Sequence, residues 1–143
     1  MDIRKAISTD LEIIAAIDAA ALGTDRRRRY LRDAIKTGKC HVFAPNNVVK
    51  GFVIFNYTFF GYGFVTLIGV APEHQRQGIG LQMMQFVEGL CTTKKIFTST
   101  KDINKAMKSL CIRLDYERSG EIENLYSQGN VEVVYFKELG RGR

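Results

Sequence analysis

Hydrophobic and polar positions recur along this chain with two different periods, and the pattern predicts an ordered mixture of strands and helices. The first apolar segment, Ile3 to Ile7, is typical of a short strand. The next segment, STDLEIIAAIDAAAL, has helical spacing, with Ser8 or Thr9 as the predicted N-cap and Gly23 directly after its end. A second helix is predicted from residue 25 to residue 36. The N-terminal quarter therefore predicts one strand followed by two helices.

The middle of the chain alternates apolar and polar residues, which is typical of β-strands. KCHVFA and VVKGFVIFNYTFF are separated by the turn residues PNN and predict a hairpin, and FVTLIGVA after the GYG turn predicts a third strand. Beyond it the period becomes helical. The apolar face of this predicted helix consists of Ile79, Met83, Phe86, Val87 and Leu90. This order predicts a three-stranded meander that leads into a buried helix.

The last third of the chain returns to alternation, since KKIFTST predicts a strand. A further helix is predicted from five apolar positions at helical spacing: Ile103, Met107, Leu110, Cys111 and Leu114. Two strands close the chain, one from about Tyr116 to Leu125 and one over EVVYFKEL. The whole order predicts an α/β (α+β) fold with a mixed sheet of about seven strands and about four helices. Residues 1–143 are predicted to form a single domain, because no linker or repeat interrupts them.

The composition adds little to this prediction of the fold. With 45% hydrophobic and 25% charged residues in a chain of 143, it indicates an ordinary globular protein. Cys40, Cys91 and Cys111 lack the spacing of metal ligands, so we expect no metal and interpret them as reduced thiols of a cytoplasmic protein. No apolar run reaches membrane-spanning length, and acidic residues interrupt the N-terminal segment that would otherwise suggest a signal peptide. The net charge of +6 suits an anionic ligand but excludes no class of function.

The segment GVAPEHQRQGIG, from Gly69 to Gly80, joins a strand to a helix and carries the strongest chemical signal. Gly78 and Gly80 lack a Cβ, so an anion can reach backbone N–H groups directly, and the helix N-terminus adds the positive end of its dipole. Arg76 adds a cation. The segment matches neither the triphosphate loop nor the G-x-G-x-x-G dinucleotide pattern. It predicts a site for another phosphate-bearing ligand; the alternative is a turn that only lets helix and strand pack closely.

VAPEHQRQGIG also resembles the Q/R-x-x-G-x-G/A signature of the GNAT superfamily of N-acetyltransferases, which follows a strand ending in V-x-P. Val70 and Pro72 match the strand end, and Gln75, Gly78 and Gly80 match the signature. The segment NKAMKSLCIRLDY resembles the second signature of the family, and the order of elements is similar over the whole chain. The resemblance implies an acetyl-CoA-dependent N-acetyltransferase fold in which two parallel strands splay at the cofactor site.

The resemblance further implies which residues bind acetyl-CoA. The main-chain amides of residues 76–81 would hold the pyrophosphate, and the strand end at residues 68–70 would pair with the pantetheine arm. An amide near Val70 would stabilise the oxyanion during transfer. Asn104 would contact the cofactor arm, or alternatively cap its helix. The implied cofactor-binding residues are Ile68, Gly69, Val70, Gln75, Arg76, Gln77, Gly78, Ile79, Gly80, Leu81 and Asn104.

The acid–base residues depart from the family pattern. Many relatives protonate the leaving thiolate with a tyrosine at the position of Cys111, which is either a general acid or a small buried apolar residue. The positions where relatives often carry a glutamate are Phe64 and Ser99, so the general base is unassigned. The nearby polar candidates are Tyr57, Tyr62, Glu73, His74 and Asp102. Catalysis by positioning, with protons exchanged through water, and loss of activity are further interpretations.

The run DRRRRYLR is the strongest charge feature of the chain. In the family this region borders the acceptor pocket, so Arg26 to Arg29 favour an acceptor that is anionic or neutral, or that lies on a larger acidic partner; the alternative is a solvated basic helix end. We expect a small-molecule or peptide amine acceptor that is not a polycation. Two other functions are open: a non-catalytic acyl-CoA-binding protein of the same fold, and a basic nucleic-acid-binding module, which lacks a recognisable RNA-binding or helix-turn-helix motif. We expect no membrane or nucleic-acid partner, and a homodimer is compatible with the sequence.

Overall fold

The computed structural model describes residues 2–140, and within them it contains seven strands and four α-helices. The helices are α1 (Leu11–Leu22), α2 (Arg28–Lys36), α3 (Ile79–Leu90) and α4 (Lys105–Arg113). The strands are β1 (Ile3–Lys5), β2 (Cys40–Phe43), β3 (Gly51–Phe59), β4 (Tyr62–Val70), β5 (Lys95–Lys101), β6 (Glu117–Ile122) and β7 (Glu132–Glu138). The predicted number and order of strands and helices are confirmed.

The strands form one mixed sheet in the order β1-β2-β3-β4-β5-β7-β6. β1–β2, β2–β3, β5–β7 and β6–β7 pair antiparallel, whereas β4 and β5 run parallel, with Gly63–Val65 opposite Ile96–Thr98. The parallel pair is the one that the family resemblance implies. β4 itself continues to Val70, and a splay of the two strands beyond their paired residues stays a prediction.

The chain divides into two compact units. The first contains the described parts of Met1–Phe55 and Leu67–Gly89, and the second contains those of Asn56–Thr66 and Leu90–Arg143. The assignment of residues 1–143 to a single domain therefore stays a prediction. Among the residues described, no helix combines the length and the apolar character that crossing a membrane requires.

In the first unit, helices cover the strands on both faces. Phe52 of β3 belongs to a buried cluster with Ile14 and Ile17 of α1 and Leu31 of α2. The preceding residue, Gly51, faces the other way, where an added Cβ would lie 3.0 Å from the Met83 side chain of α3. Because neighbouring residues of a strand point to opposite faces, α1 and α3 lie on opposite sides of β3.

Two helix starts differ from the prediction. Neither Ser8 nor Thr9 caps α1, because residues 8–10 form a short 3₁₀ turn in which the Asp10 carboxylate accepts the Ile7 amide at 2.8 Å. The helix ends as predicted at Gly23, with φ +85°. α2 starts at Arg28, three residues later than expected, since residues 25–27 form a turn before it. The sequence marked the ends of these helices better than their beginnings.

In the second unit, β5 alternates as a strand with one buried face. Ile96, Thr98 and Thr100 are buried, whereas Phe97 and Ser99 are half-buried on the opposite face. Helix α4 buries Met107 and Cys111, but the predicted face residue Ile103 precedes the helix and is 65% exposed. β6 ends at residue 122 rather than near residue 125.

Candidate functional site

The predicted phosphate turn lies in the first unit, between β4 and α3. After β4 ends at Val70, residues 72–74 form a short 3₁₀ turn. The backbone then takes left-handed conformations at Arg76 and Gly78, with φ of +64° and +79°. α3 begins at the next residue, Ile79. The two left-handed residues bring the chain directly from the turn into the helix N-terminus.

The first turn of α3 presents backbone N–H groups that the helix itself cannot satisfy. The Gln82 amide donates to the Gly78 carbonyl at 3.1 Å, as the regular helical pattern requires. The amides of Gly78, Ile79, Gly80 and Leu81 precede it and have no acceptor within the helix. Together with the positive end of the helix dipole, these four amides can bind an anion.

Gly78 has the surroundings that close approach of a ligand requires. A Cβ built at this residue would meet no described atom within 4 Å outside its chain neighbours, and its φ of +79° favours glycine. The alternative interpretation, a glycine that only lets strand and helix pack closely, needs neighbours that Gly78 lacks. Gln75, Arg76 and Gln77 are exposed beside it.

Gly69, at the start of this segment, is explained by packing. A Cβ on Gly69 would lie 2.6 Å from Cε1 of Phe52 and 3.3 Å from Cγ2 of Ile17, so the residue makes room for the core next to α1. Ile68 and Val70 flank it and are half-buried. The Gln75 side chain donates from Nε2 to the Val70 carbonyl at 3.3 Å, which ties the turn to the strand end.

In the second unit, Asn104 is the N-cap of α4. Its Oδ1 accepts a hydrogen bond from the Met107 amide at 3.1 Å. This capping role is one of the two alternatives predicted for Asn104. A contact between Asn104 and the cofactor arm stays a prediction.

Cys111 is fully buried on α4. Burial raises the pKa of its thiol to about 12, so the thiol stays protonated throughout the neutral range. Cys40 of the first unit is equally buried, and burial raises the pKa of its thiol to about 12 as well. These two cysteines have the environment of small apolar core residues. The role of Cys111 as a general acid stays a prediction.

The candidates for the general base have different environments. The hydroxyl of Tyr57 accepts from the Thr92 amide at 3.1 Å. Asp102 has a buried Oδ1 for which the described residues offer no hydrogen-bond donor. Glu73 is exposed, His74 is half-buried in the 3₁₀ turn of the first unit, and the ring of Tyr62 lies 5.4 Å from that of Phe97. Across residues 2–140, no three His, Cys, Asp or Glu side chains are placed to hold a metal ion.

The two positions at which relatives carry a glutamate are Phe64 and Ser99, and each makes a contact of its own. Phe64 stacks on Phe59, with ring centres 5.0 Å apart. Ser99 donates a hydrogen bond from Oγ to Oε2 of Glu132 at 2.6 Å. The hydroxyl of Tyr126 donates to the other oxygen of the same carboxylate, Oε1.

Sequence reasoning missed Glu132. The residue begins β7 and pairs in register with Lys101 at the end of β5. The alternating pattern of EVVYFKEL predicts the strand, but which strand it pairs with depends on contacts between residues distant in sequence. No local signal therefore connects Glu132 with Ser99.

Two of the four consecutive arginines link α2 to α1. Arg27 donates to both oxygens of Asp18, from Nη2 at 2.6 Å and from Nε at 3.1 Å, and Arg28 pairs with Glu12. Arg26 and Arg29 are exposed. Two arginines of the run therefore stabilise the packing of α2 on α1, and the other two are available to solvent or to a ligand.

Comparisons with known proteins agree with this architecture. A family model of the acetyltransferase (GNAT) family matches residues 10–116. A GNAT-family acetyltransferase from Bacillus cereus is 32% identical, with 95% of each chain covered and a TM-score of 0.87. Ard1 from Thermoplasma volcanium is 16% identical, again with 95% of each chain covered and a TM-score of 0.85.

The protein yncA from Salmonella typhimurium, whose structure contains its cofactor acetyl-CoA, is 21% identical; 99% of this chain and 95% of that chain are covered, with a TM-score of 0.77. A search of curated sequences gave no significant match. The family model spans most of the chain, and the Bacillus cereus protein matches nearly all of it. The resemblance seen in the sequence is thus confirmed: this chain belongs to the GNAT family of acetyltransferases.

Proposed function

We propose that the protein transfers an acetyl group directly from acetyl-CoA to an amine acceptor. The main support for this proposal is the open, left-handed Gly78 at the start of α3, whose first amides have no acceptor within the helix. Membership in the GNAT family supports acetyl transfer, and the similar protein yncA binds acetyl-CoA. When bound, acetyl-CoA supplies the acetyl thioester and a pyrophosphate.

The pyrophosphate is assigned to the turn at residues 76–81. Its oxygens accept hydrogen bonds from the amides at the start of α3, where the helix dipole adds favourable charge. The exposed side chain of Arg76 adds a further positive charge beside the turn. The open space above Gly78 accommodates a phosphate oxygen, which a side chain at this residue would displace.

The pantetheine arm is assigned to Ile68, Gly69 and Val70. This strand end lies beyond the part of β4 that pairs with β5. A pantetheine arm carries amides, so it can pair with strand backbone as an added strand would. A backbone N–H near Val70 is proposed to donate to the thioester carbonyl, and Asn104 to contact the arm.

Cys111 is assigned a packing role, and water is assigned as the proton source for the leaving thiolate. The complete burial of Cys111 and the high pKa of its thiol support this choice. A proton donor must reach the leaving group by hydrogen-bond contact, directly or through one water. A fully buried side chain on the inner face of α4 is poorly suited to that contact.

The acceptor is assigned as a small-molecule or peptide amine. Arg26 and Arg29 remain exposed after Arg27 and Arg28 are paired, and their charge disfavours a polycation. This pairing also removes part of the basic surface that a nucleic-acid-binding function would need. Among the described residues the cysteines form no disulfide, which suits a reducing compartment, and we place the enzyme in the cytoplasm.

Calorimetric titration of the full chain with acetyl-CoA tests this proposal, followed by release of free thiol in the presence of amines, amino acids and short peptides. Saturable binding with thiol release that depends on one of the acceptors is expected. Binding without thiol release for any acceptor favours the non-catalytic acyl-CoA-binding alternative. Absence of binding contradicts the proposal as a whole.

A further inference from the structure

The reaction needs a group that removes a proton from the acceptor, because an ammonium has no free electron pair with which to attack a carbonyl carbon. We propose that the carboxylate of Glu132, held by Ser99 and Tyr126, binds the ammonium group of the acceptor and takes its proton. This inference rests on the proposed function, to which it adds the general base.

Glu132 accepts two hydrogen bonds through its carboxylate and has room for further donors. Ser99 Oγ donates to Oε2 at 2.6 Å, and the Tyr126 hydroxyl donates to Oε1. A carboxylate oxygen has two lone pairs, so each oxygen can accept one more donor. An ammonium supplies such donors.

Within residues 2–140, no cationic side chain forms an ion pair with the Glu132 carboxylate. Lys101 lies opposite Glu132 in register, but its Nζ is placed 4.4 Å from the centre of the Tyr126 ring. On the other side, β6 contributes the apolar residue Ile122. A half-buried, unpaired carboxylate attracts a cationic ligand more strongly than a solvated one does.

The position of Ser99 on β5 locates the Glu132 carboxylate within the second unit. β4 and β5 pair as far as Val65 and Thr98, and Ser99 is the next residue of β5. Its neighbours Thr98 and Thr100 are buried on one face of the strand, so Ser99 lies on the opposite, half-buried face. Glu132 shares that face, because it pairs in register with Lys101, two residues further along β5. A ligand that reaches Ser99 therefore also reaches Glu132.

The proton balance of the transfer is complete with Glu132 as the base. One N–H proton of the ammonium passes to Oε of Glu132 and leaves the nitrogen with a free electron pair. The nitrogen forms a bond to the acetyl carbon, and the carbon–sulfur bond breaks with its electron pair on sulfur. A second N–H proton reaches the thiolate through water, and protonated Glu132 returns its proton to the solvent.

The test compares the parent protein with Glu132→Gln, Ser99→Ala and the control Glu138→Gln. Glu138 lies on the same face of β7 as Glu132, at the exposed far end of the strand. With the best acceptor from a panel of amines and peptides, Glu132→Gln is expected to lower kcat by about a hundredfold, the usual size of a general-base contribution. Ser99→Ala lowers it less, and Glu138→Gln leaves it unchanged. The melting-temperature increase caused by acetyl-CoA should be the same in all four proteins.

The pH dependence separates a base from a structural residue. As the pH rises toward the pKa of the acceptor amine, the solvent supplies more of the neutral amine. The difference in rate between parent and Glu132→Gln should therefore shrink at high pH, whereas a structural defect would persist. A rate for Glu132→Gln within about threefold of the parent at neutral pH overturns the proposal, and so does a deficit that is constant with pH.

The outcomes also distinguish this inference from the proposed function. If the parent does not bind acetyl-CoA, or binds it and acetylates no acceptor, then the proposed transfer fails and the role of Glu132 fails with it. If the parent acetylates an acceptor and Glu132→Gln does so equally well, only the assignment of Glu132 is wrong. If Glu132→Gln does not fold, Ser99→Ala tests the role of Glu132 instead. Loss of the Ser99 hydroxyl should lower kcat and leave the stabilisation by acetyl-CoA unchanged, and an unchanged kcat would overturn the proposal.

Discussion

Arg27 donates two hydrogen bonds to the carboxylate of Asp18, from Nη2 to Oδ1 at 2.6 Å and from Nε to Oδ2 at 3.1 Å. Asp18 lies on α1 with only 5% of its side chain exposed, and Arg27 directly precedes α2. Because the pair joins the end of one helix to the start of the next, it fixes the turn between α1 and α2. Part of the most basic segment of the sequence therefore serves the fold.

Replacing Asp18 with Asn should destabilise the protein by about 2 kcal/mol, a value between those for exposed and for buried ion pairs. The change leaves the Arg27 guanidinium without its carboxylate in a partly buried place. Urea unfolding monitored by circular dichroism measures the effect. Asp33→Asn, on the exposed surface of α2, is the control and should change stability by less than about 0.5 kcal/mol. Equal stability of Asp18→Asn and the parent would contradict this role of the pair.

Stability should fall in acid partly because of Asp10. The hydrogen bonds from Arg4 hold the pKa of this carboxyl below its ordinary value, against an opposing effect of burial. A group whose pKa is lower in the folded state stabilises the protein above its unfolded pKa of about 3.9, and this contribution is lost as the pH falls further. The stability difference between parent and Asp10→Asn should therefore be largest near pH 7 and shrink toward pH 3. A difference that does not change with pH would show that the charge of Asp10 is unimportant.

Cys111→Ala should keep most of the parent turnover and lose a modest amount of stability, because removal of a buried sulfur leaves a small cavity. Cys40→Ala is the matched control, since both thiols are fully buried and have a pKa of about 12. Thiol-release assays and thermal melts on both variants measure the two effects. A hundredfold loss of turnover in Cys111→Ala alone, at unchanged melting temperature and cofactor affinity, would identify Cys111 as the general acid.

Acetyl-CoA should raise the melting temperature of the protein, because a ligand that binds only the folded state stabilises it by about 2.7 kcal/mol at a hundred times its Kd. Dephosphorylated pantetheine at the same concentration should have a much smaller effect, since it lacks the pyrophosphate assigned to residues 76–81. Thermal melts with each ligand provide the comparison. Equal stabilisation by both ligands would place the phosphates elsewhere.

The features that the sequence predicted correctly are those encoded by neighbouring residues. The period of the apolar positions predicted each strand and helix, and the glycine at residue 78 predicted a backbone turn because few other residues adopt a φ of +79°. Gly23 likewise marked the end of α1. The start of α1 was missed because residues 8–10 form a 3₁₀ turn before the helix, in which the Asp10 carboxylate accepts the Ile7 amide.

The features that the sequence could not predict depend on residues that meet only in the folded chain. Ser99 and Glu132 are 33 positions apart and meet through the pairing of β5 with β7. The reason for Gly69 is the Phe52 ring on another strand, which a Cβ would approach to 2.6 Å. Such contacts follow from the order of strands in the sheet, and the alternation within one strand carries no information about that order.

Binding of the acetyl-CoA pyrophosphate by the turn at Gly78 can be tested by calorimetric titration of three proteins, the parent, Gly78→Val and Gly61→Val. Gly61 is the matched control for Gly78: it has φ +82°, and a Cβ there would also meet nothing within 4 Å. Both Gly78→Val and Gly61→Val therefore place a branched side chain on a left-handed residue in open space. This assignment of the pyrophosphate predicts that Gly61→Val binds acetyl-CoA like the parent, whereas Gly78→Val binds about a hundredfold more weakly or not at all. Loss of one or two charge-assisted hydrogen bonds costs about 1.5–3 kcal/mol each. A folded Gly78→Val protein with the affinity of the parent would contradict this assignment.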